Sequence, residues 1–159
     1  MSGEGGVPAK VGAVDVYVLR GVRESLELLV LRRRPGTRCP GAWEVVHGRI
    51  ESEEGPEEAA ERELAEETGL RALRMYTIGV QPFYLPAVPE VLLAVAFAAF
   101  VSDGADIRLG DEHDSAEWLD VDVAARRLTW PRSKAMLADA RALVGGGTAG
   151  AVEDVTRVR

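Results

Sequence analysis

The sequence predicts a single α/β domain built on a mixed β-sheet with helices on both sides. Three observations favour this fold class. The 159 residues suit one domain of ordinary size. Valine-rich stretches that alternate with period two are typical of strands, and segments rich in helix-forming residues lie between them. An apolar content of 47% and a charged content of 28% are usual for a globular domain with a buried core.

Six stretches are predicted to be strands. Residues 11–20 and 26–32 are rich in valine and leucine, and the segment between them suits a hairpin loop. Residues 43–46 form a short third strand that runs into His47 and Gly48, which we place in a loop. The other predicted strands are 73–80, 90–101 and 117–119. We expect Pro82, Phe83 and Tyr84 to lie in the connection between 73–80 and 90–101.

Three helices are predicted, at 56–67, 122–128 and 131–144. Pro56 lies in the first turn of the first helix, where its missing N–H is tolerated, and Gly69 suits a left-handed C-terminal cap. Glycines at 145–147 end the third helix. The chain therefore divides into a flexible N-terminus at 1–10, a folded domain at 11–145 and a C-terminal tail at 146–159.

Charge and hydropathy exclude some classes of partner. The net charge of −7 argues against a nucleic-acid polymer, because such binding depends on clustered lysine and arginine. The longest apolar run, residues 91–101, is too short to span a bilayer, which takes about 20 residues. The first residues lack the basic and apolar regions of a secretory signal, and the single cysteine, Cys39, fits a reducing compartment. We expect a cytoplasmic protein without a membrane partner, and the sequence leaves a homodimer open.

Acidic residues crowd the first predicted helix and the turn before it. Nine of the 17 residues from 51 to 67 are acidic, and only Arg62 is basic. A rotation of about 100° per residue places Glu63, Glu66 and Glu67 on one helix face. Such a face is either a solvated surface or a site for a divalent cation, since Mg²⁺ prefers oxygen ligands and often links carboxylates to phosphates. The charges alone leave both interpretations open.

The spacing of residues 48–70 decides between the two interpretations. Five residues separate Gly48 from Glu54, and seven more separate Glu54 from Arg62-Glu63-Leu64. One residue then precedes the pair Glu66-Glu67, and one more precedes the pair Gly69-Leu70. This pattern resembles the Nudix box, GX5EX7REUXEEXGU with U an aliphatic residue, and every specified position is filled. The resemblance implies an α/β/α sandwich that hydrolyses a nucleoside diphosphate linked to another group X. It also implies Mg²⁺ or Mn²⁺ as the cofactor.

The resemblance implies roles for individual residues of the box. Glu63, Glu66 and Glu67 match the family's metal-binding glutamates, and Glu63 would also be the general base. Glu54 matches a position that supports the site, and we count it with the metal-site residues. Arg62 is expected to hold glutamates by charged hydrogen bonds, which keeps their metal-facing oxygens oriented.

Two further metal-site residues lie outside these positions. The main-chain carbonyl of His47 matches one that often contributes a ligand, although many family members have Pro-Gly-Gly where this chain has Val46-His47-Gly48. Members also often supply a carboxylate from a later loop, and Glu112 is our candidate for metal binding or general-base duty; the alternative is a plain surface loop. The stretches 110–120 and 130–137 are loosely similar to dihydroneopterin triphosphate and dATP pyrophosphohydrolases.

Substrate contacts are expected from two pairs of residues. Arg32 and Arg33 end the second predicted strand, where they either reach substrate phosphates or form a solvated basic turn. Phe83 and Tyr84 are our candidates to stack on a nucleobase, although aromatic residues lie more often in a core. The leading hypothesis is a metal-dependent hydrolase of a small nucleotide or related diphosphate. Dinucleoside polyphosphates and dihydroneopterin triphosphate are alternative substrates, and a nucleotide sensor of the same fold is the non-catalytic alternative.

Overall fold

A seven-stranded mixed sheet organises the computed structural model, which describes residues 5–159. The strands are β1 (Ala9–Arg20), β2 (Glu27–Arg33), β3 (Trp43–Glu44), β4 (Val46–Arg49), β5 (Arg74–Leu85), β6 (Glu90–Phe100) and β7 (His113–Asp120). The helices are α1 (Pro56–Thr68), α2 (Val121–Arg127), α3 (Pro131–Val144) and α4 (Glu153–Thr156). The central path is β3-β2-β1-β6-β5, with β4 paired to β1 and β7 paired to β2. Strands β1 and β6 are parallel, and the other pairs are antiparallel.

Hydrophobic side chains form a layer on each face of the sheet. Tyr17 and Leu19 of β1 pack with buried residues of α2 and α3. Val16 and Val18 of the same strand pack on the other face with Leu64 of α1. Successive residues of a strand point to opposite faces, so a strand that is apolar at every position needs a cover on both sides. The predicted α/β class with an α/β/α sandwich is confirmed.

The strands predicted at 11–20 and 26–32 are confirmed within two residues, but the third predicted strand is wrong. Residues 43–46 belong to two strands, because β3 ends at Glu44 and β4 begins at Val46. Strand β3 pairs with β2 whereas β4 pairs with β1, so the chain changes partners at Val45. His47 and Gly48, which were predicted to lie in a loop, therefore belong to β4 and pair with β1.

Strand β5 extends to Leu85, so the prediction that Phe83 and Tyr84 lie in a connection between strands is wrong. Both residues pair with β6 in a long hairpin. The sequence signal for a break was Pro82, but β5 is the outermost strand on its side of the sheet, where a proline without an N–H is tolerated. Strand β7 is likewise longer than predicted and begins at His113.

The last residues of the chain pair with β5. The Val158 N–H donates to the Met75 carbonyl at 2.8 Å, and the Met75 N–H donates to the Arg159 carbonyl at 3.1 Å. Arg159 Nε also donates to Glu61 Oε1 at 2.6 Å, which connects this segment to α1. Of the predicted flexible N-terminus at 1–10, residues 1–4 lie outside the described residues, and β1 begins at Ala9. Among residues 5–159 no helix is long and apolar enough to cross a bilayer.

Leu64→Ala should lower the free energy of unfolding by about 2–5 kcal/mol, because it removes a fully buried side chain between α1 and the sheet. Leu73 is a matched control, since 63% of it is exposed, and Leu73→Ala should change the free energy of unfolding by less than about 0.5 kcal/mol. Urea unfolding followed by circular dichroism measures both. Similar losses in the two variants would contradict the packing of α1 on the sheet.

Candidate active site

Helix α1 presents one apolar side to the sheet and one acidic side to a cleft. Pro56 occupies its first turn, and Gly69 ends it in the left-handed region at φ 71°, with the Gly69 N–H donating to the Ala65 carbonyl. Ala59, Ala60 and Leu64 are buried against the sheet. This packing fixes the rotation of the helix about its axis and therefore the direction of its glutamates.

Strand β4 passes so close to α1 that a side chain at position 48 would displace the Glu63 carboxyl group. A Cβ atom at Gly48 would overlap the carboxyl group of Glu63. Gly48 pairs with Val14 of β1, so its backbone cannot easily retreat from the helix. The first glycine of the box therefore lets the Glu63 side chain approach the backbone of β4 closely.

Arg62 connects the glutamates to one another and to β4. Its Nε and Nη2 atoms donate to the two carboxylate oxygens of Glu54 at 2.7 and 2.8 Å. Its Nη1 atom donates to Glu63 Oε1 at 2.7 Å and to Glu66 Oε2 at 3.3 Å, and Nη2 also donates to the Arg49 carbonyl at 2.9 Å. A planar guanidinium can make this many bonds because its donors form a rigid fork. Arg62 thus sets the orientation of three carboxylates.

The pKa values of the glutamates differ with their surroundings. The hydrogen bonds from Arg62 lower the pKa of Glu54 to about 2. Burial raises the pKa of Glu63 above its usual range. Glu67 is almost completely buried, and burial together with the charges of Glu63 and Glu44 raises its pKa to about 9. Its Oε2 atom accepts a hydrogen bond from the His47 N–H at 3.4 Å. Among residues 5–159 no arginine, lysine or histidine side chain forms an ion pair with Glu67.

The donor set suits a hard divalent cation. Among residues 5–159, no three carboxylate, imidazole or thiol side chains converge closely enough to enclose a metal ion by themselves. Mg²⁺ does not need such a cage, because it keeps several water ligands and is usually held by one or two carboxylates and the substrate phosphates. A cation beside Glu67 would also compensate the charge that burial disfavours. Glu54 differs, since Arg62 already occupies both of its oxygens.

Glu44 of β3 joins this acidic group, although the sequence analysis did not single it out. It is buried and hydrogen-bonded through Oε1 to His113 Nε2 at 2.8 Å, and it accepts from Arg33 Nη1 at 3.1 Å. Burial alone would raise the pKa of Glu44, but these hydrogen bonds lower it. The available signal was an acidic residue inside a short apolar strand.

The arginines predicted to contact substrate separate in the structure. Arg33 lines the cleft and its Nη1 atom lies 3.4 Å from Glu112 Oε2, so Glu112 also reaches the cleft. Arg32 does not line the cleft; its Nε donates to Asp114 Oδ1 at 2.9 Å. The two arginines differ because neighbouring residues of a strand point to opposite faces.

The cleft has a volume of about 950 Å³, which suits a nucleotide-sized ligand. Its lining combines carboxylates, arginines and aromatic rings, among them Glu44, Glu63, Glu112, Arg33, Arg38, Arg49, Arg132, Phe83, Tyr84 and Trp130. The structure thus brings Gly48 and Glu63 of the box together with both predicted stacking residues, whereas Glu66 and Glu67 do not line the cleft. Positive charge within the same cleft offsets the repulsion that an acidic site exerts on an anion.

A second buried group lies beside the cleft and was also missed. Asp15 of β1 is 1% exposed, and its Oδ1 atom lies 2.6 Å from His47 Nδ1. Burial alone would lower the pKa of His47, but the hydrogen bond to Asp15 and the charge of that residue raise it. The His47 ring in turn meets the Phe83 ring edge-on, with centroids 6.1 Å apart. As with Glu44, the signal in the sequence was one acidic residue within an apolar strand.

Comparisons with known proteins show what this chain is similar to. The family model described as the NUDIX domain matches residues 9–140. A protein named octanoyltransferase from Myxococcus xanthus is 40% identical over 123 residues, which cover 76% of this chain and 34% of that protein. This chain therefore spans about a third of that relative. An RNA pyrophosphohydrolase from Gluconacetobacter diazotrophicus is 32% identical over 117 residues, covering 59% of this chain and 69% of that protein.

Similarity to solved structures supports the fold. A crystal structure of a C. elegans Ap4A hydrolase binary complex superimposes with a TM-score of 0.66 at 19% identity, covering 84% of this chain and 98% of that chain. The family match contains the whole box from Gly48 to Leu70 and most of the described sheet. The chain therefore belongs to the Nudix hydrolase family, as its resemblance to the Nudix box predicted.

Proposed function

We propose that this chain is a metal-dependent diphosphohydrolase that cleaves a phosphoanhydride bond in a nucleoside diphosphate linked to X, with nucleoside triphosphates among its substrates. One observation carries this proposal: the complete box places Glu63 and its neighbouring glutamates, oriented by Arg62, beside a cleft that also holds arginines and aromatic rings. The acidic part suits metal-bound phosphates, and the rest of the cleft suits the nucleoside.

The metal would be Mg²⁺ or Mn²⁺, and the chain's own residues would hold it. The ligands we propose are the carboxylates of Glu63, Glu66 and Glu67 and the main-chain carbonyl of His47, with Glu112 as a further carboxylate. A bound divalent ion would neutralise phosphate charge and activate water for in-line attack at phosphorus. Glu54 would support the site by holding Arg62, since both of its oxygens already accept from that residue.

The remaining steps depend on side chains of this protein. Glu63 is our candidate for the general base, because it lies at the centre of the box and lines the cleft. Arg62 would orient Glu63 and Glu66. Arg33 would approach the phosphates, and its bonds to Glu44 and Glu112 would hold its guanidinium in place.

The relatives of the chain, its net charge and its complete box each bear on which substrate it hydrolyses. The RNA pyrophosphohydrolase relative makes an RNA that carries a phosphoanhydride bond a second candidate substrate. The net charge of −7 favours a small nucleotide over a polymer. Dinucleoside polyphosphates and dihydroneopterin triphosphate remain in the same reaction class. A non-catalytic sensor is disfavoured because no carboxylate of the box is missing.

The direct test is a screen for release of phosphate or pyrophosphate from a nucleotide panel, with Mg²⁺ or Mn²⁺ present. The panel should include nucleoside triphosphates, dinucleoside polyphosphates, nucleotide sugars, dihydroneopterin triphosphate and 5′-triphosphorylated RNA. We expect turnover of at least one small nucleotide and none in excess chelator. Turnover that persists in chelator, with metal shown to be absent, would overturn the metal site.

Glu63→Gln should reduce kcat by roughly 10²–10⁴-fold, because it removes the proposed base while keeping the side-chain shape. Glu61→Gln on the same helix is the matched control. Glu61 is 40% exposed in an ion pair with Arg159 and lies outside the cleft lining, so kcat should stay within about twofold. The measurement is kcat at saturating Mg²⁺ for both variants, with folding checked by circular dichroism. Equal rates would support a merely solvated acidic face.

Gly48→Ala should reduce kcat by about 10²-fold, since the added methyl group must displace the Glu63 carboxyl group and a misplacement of about 1 Å can have that effect. Gly55→Ala provides the same substitution where nothing lies within 4 Å of the added Cβ. Steady-state assays of the two variants should show a loss only for the first. Full activity of Gly48→Ala would mean that Glu63 is not held where the structure has it.

Tyr84→Ala should raise KM by about tenfold, which corresponds to the ~1–3 kcal/mol that stacking on a base contributes. Tyr84 is 52% exposed at the cleft, so its removal does not disturb the core. Phe83→Ala should also raise KM, because the Phe83 ring packs against Arg132. Val80→Ala on the same strand is the control, since Val80 is equally exposed but does not line the cleft. Unchanged KM in both aromatic variants would show that the base binds elsewhere.

A further inference from the structure

Several buried polar atoms without a hydrogen-bond partner belong to Arg132 and to residues near it. Within residues 5–159 five buried side-chain atoms lack a hydrogen-bond partner, and four of them belong to Asp15, Tyr17, Gln81 and Arg132. Asp15 and Tyr17 point to the same face of β1, and Gln81 Nε2 donates to the Arg132 carbonyl at 2.8 Å. Buried polar groups are normally hydrogen-bonded, so such a concentration indicates a group that a ligand or water completes.

Arg132 is the member of this cluster that reaches the cleft. It lies in the first turn of α3, and 23% of its side chain is exposed. The carbon at the centre of its guanidinium is 4.6 Å from the Phe83 ring centroid and 5.5 Å from the Trp130 ring centroid. Its Nε atom is 3.9 Å from Asp15 Oδ2, beyond hydrogen-bond distance. The aromatic rings therefore hold the guanidinium. Its Nε atom is buried towards Asp15, whereas its two Nη groups make no hydrogen bond with residues 5–159 and remain available to a partner in the cleft.

The chemistry of an arginine edge restricts what it binds. A guanidinium carries only donors, arranged in a planar fork. Guanine presents two neighbouring acceptors, O6 and N7, to which an arginine donates two hydrogen bonds at once. Adenine presents an N6 amino group beside the N7 acceptor, and the N–H donors of this amino group oppose the N–H donors of the guanidinium. A planar fork beside aromatic rings thus matches a 6-keto purine better than a 6-amino purine.

We propose that Arg132 selects the base of the substrate and favours a purine with a carbonyl oxygen at C6, guanine rather than adenine. The proposal rests on the proposed hydrolysis of a nucleotide, whose phosphates would lie at Glu63 while the base lies at Arg132. Both residues line the same cleft. The buried carboxylate of Asp15 faces both side chains, at 2.6 Å from His47 Nδ1 and 3.9 Å from Arg132 Nε, and places a negative charge next to the guanidinium.

The first experiment measures binding without chemistry. Guanosine and adenosine carry no phosphates, so neither metal nor hydrolysis is needed, and calorimetric titration in chelator gives both dissociation constants. We expect guanosine to bind at least about tenfold more tightly, within the range by which one bidentate contact discriminates between bases. Arg132→Lys keeps the positive charge but removes the fork, and should bring the two constants within about twofold of each other.

The control is Arg126→Lys, the same substitution at an exposed arginine of α2, which should keep the preference of the unmodified protein. Equal binding of the two nucleosides by the unmodified protein, or no measurable binding of either, would overturn the proposal. A guanosine preference that survives in Arg132→Lys would also overturn the proposal, because another residue or an ordered water would then discriminate between the two bases.

A second measurement separates this proposal from the proposed function. The ratio of kcat/KM for GTP to that for ATP should fall by about tenfold in Arg132→Lys, mainly through the loss for GTP. Hydrolysis of both nucleotides with equal kcat/KM in the unmodified protein would leave the hydrolase intact and contradict the role of Arg132. A guanosine preference in a chain that hydrolyses no nucleotide would support the role of Arg132 and contradict the hydrolase.

Discussion

Repulsion among carboxylates is the constraint on which the candidate active site depends, and Arg62 is the residue that offsets it. Like charges one turn apart destabilise a helix, and α1 carries several such pairs. The guanidinium of Arg62 bonds both oxygens of Glu54 and one oxygen each of Glu63 and Glu66. Its further bond to the Arg49 carbonyl fixes the helix to β4. Hydrogen bonds from one arginine therefore hold the carboxylates of the acidic face in fixed orientations.

The packing of α1 against the sheet and the position of β4 hold these carboxylates in place. The apolar side of α1 is buried against the sheet, so the glutamates cannot rotate away from the cleft. Gly48 leaves room for the Glu63 carboxyl group, and the pairing of β4 with β1 keeps Gly48 where it is. The ion pair between Arg159 and Glu61 ties the last residue of the chain to the same helix.

The local part of the site could be predicted from the sequence, because the box places its glutamates and Arg62 within one helix and one loop. The helix, its left-handed end at Gly69 and the opposite-face packing all follow from neighbouring residues. The rest could not be predicted, since Glu44 and Arg132 line the cleft from separate elements, and Asp15 lies beside it on a third, so that only the tertiary fold brings them together.

Two errors in the predicted strands had the same origin. Pro82 is a local signal for a loop, but β5 lies at the edge of the sheet, where a proline is tolerated. Residues 47–48 were also assigned to a loop, but they pair with β1 after the chain changes partners. For the same reason Arg32 and Arg33 could not be told apart before β2 was placed, because the pleat of the strand decides which one reaches the cleft. Asp15 and Glu44 are acidic residues inside apolar strands, and this pattern could have indicated from the sequence that they lie at or beside the site.

The most direct test of the central claim is a titration of Mn²⁺ followed by electron paramagnetic resonance, which measures the free ion. We expect the unmodified protein to remove the free signal and added Mg²⁺ to restore it by competition. A variant with Gln at Glu63, Glu66 and Glu67 should bind Mn²⁺ much more weakly while remaining folded. Equal Mn²⁺ binding by that variant, or no binding by the unmodified protein with a nucleotide present, would contradict the account.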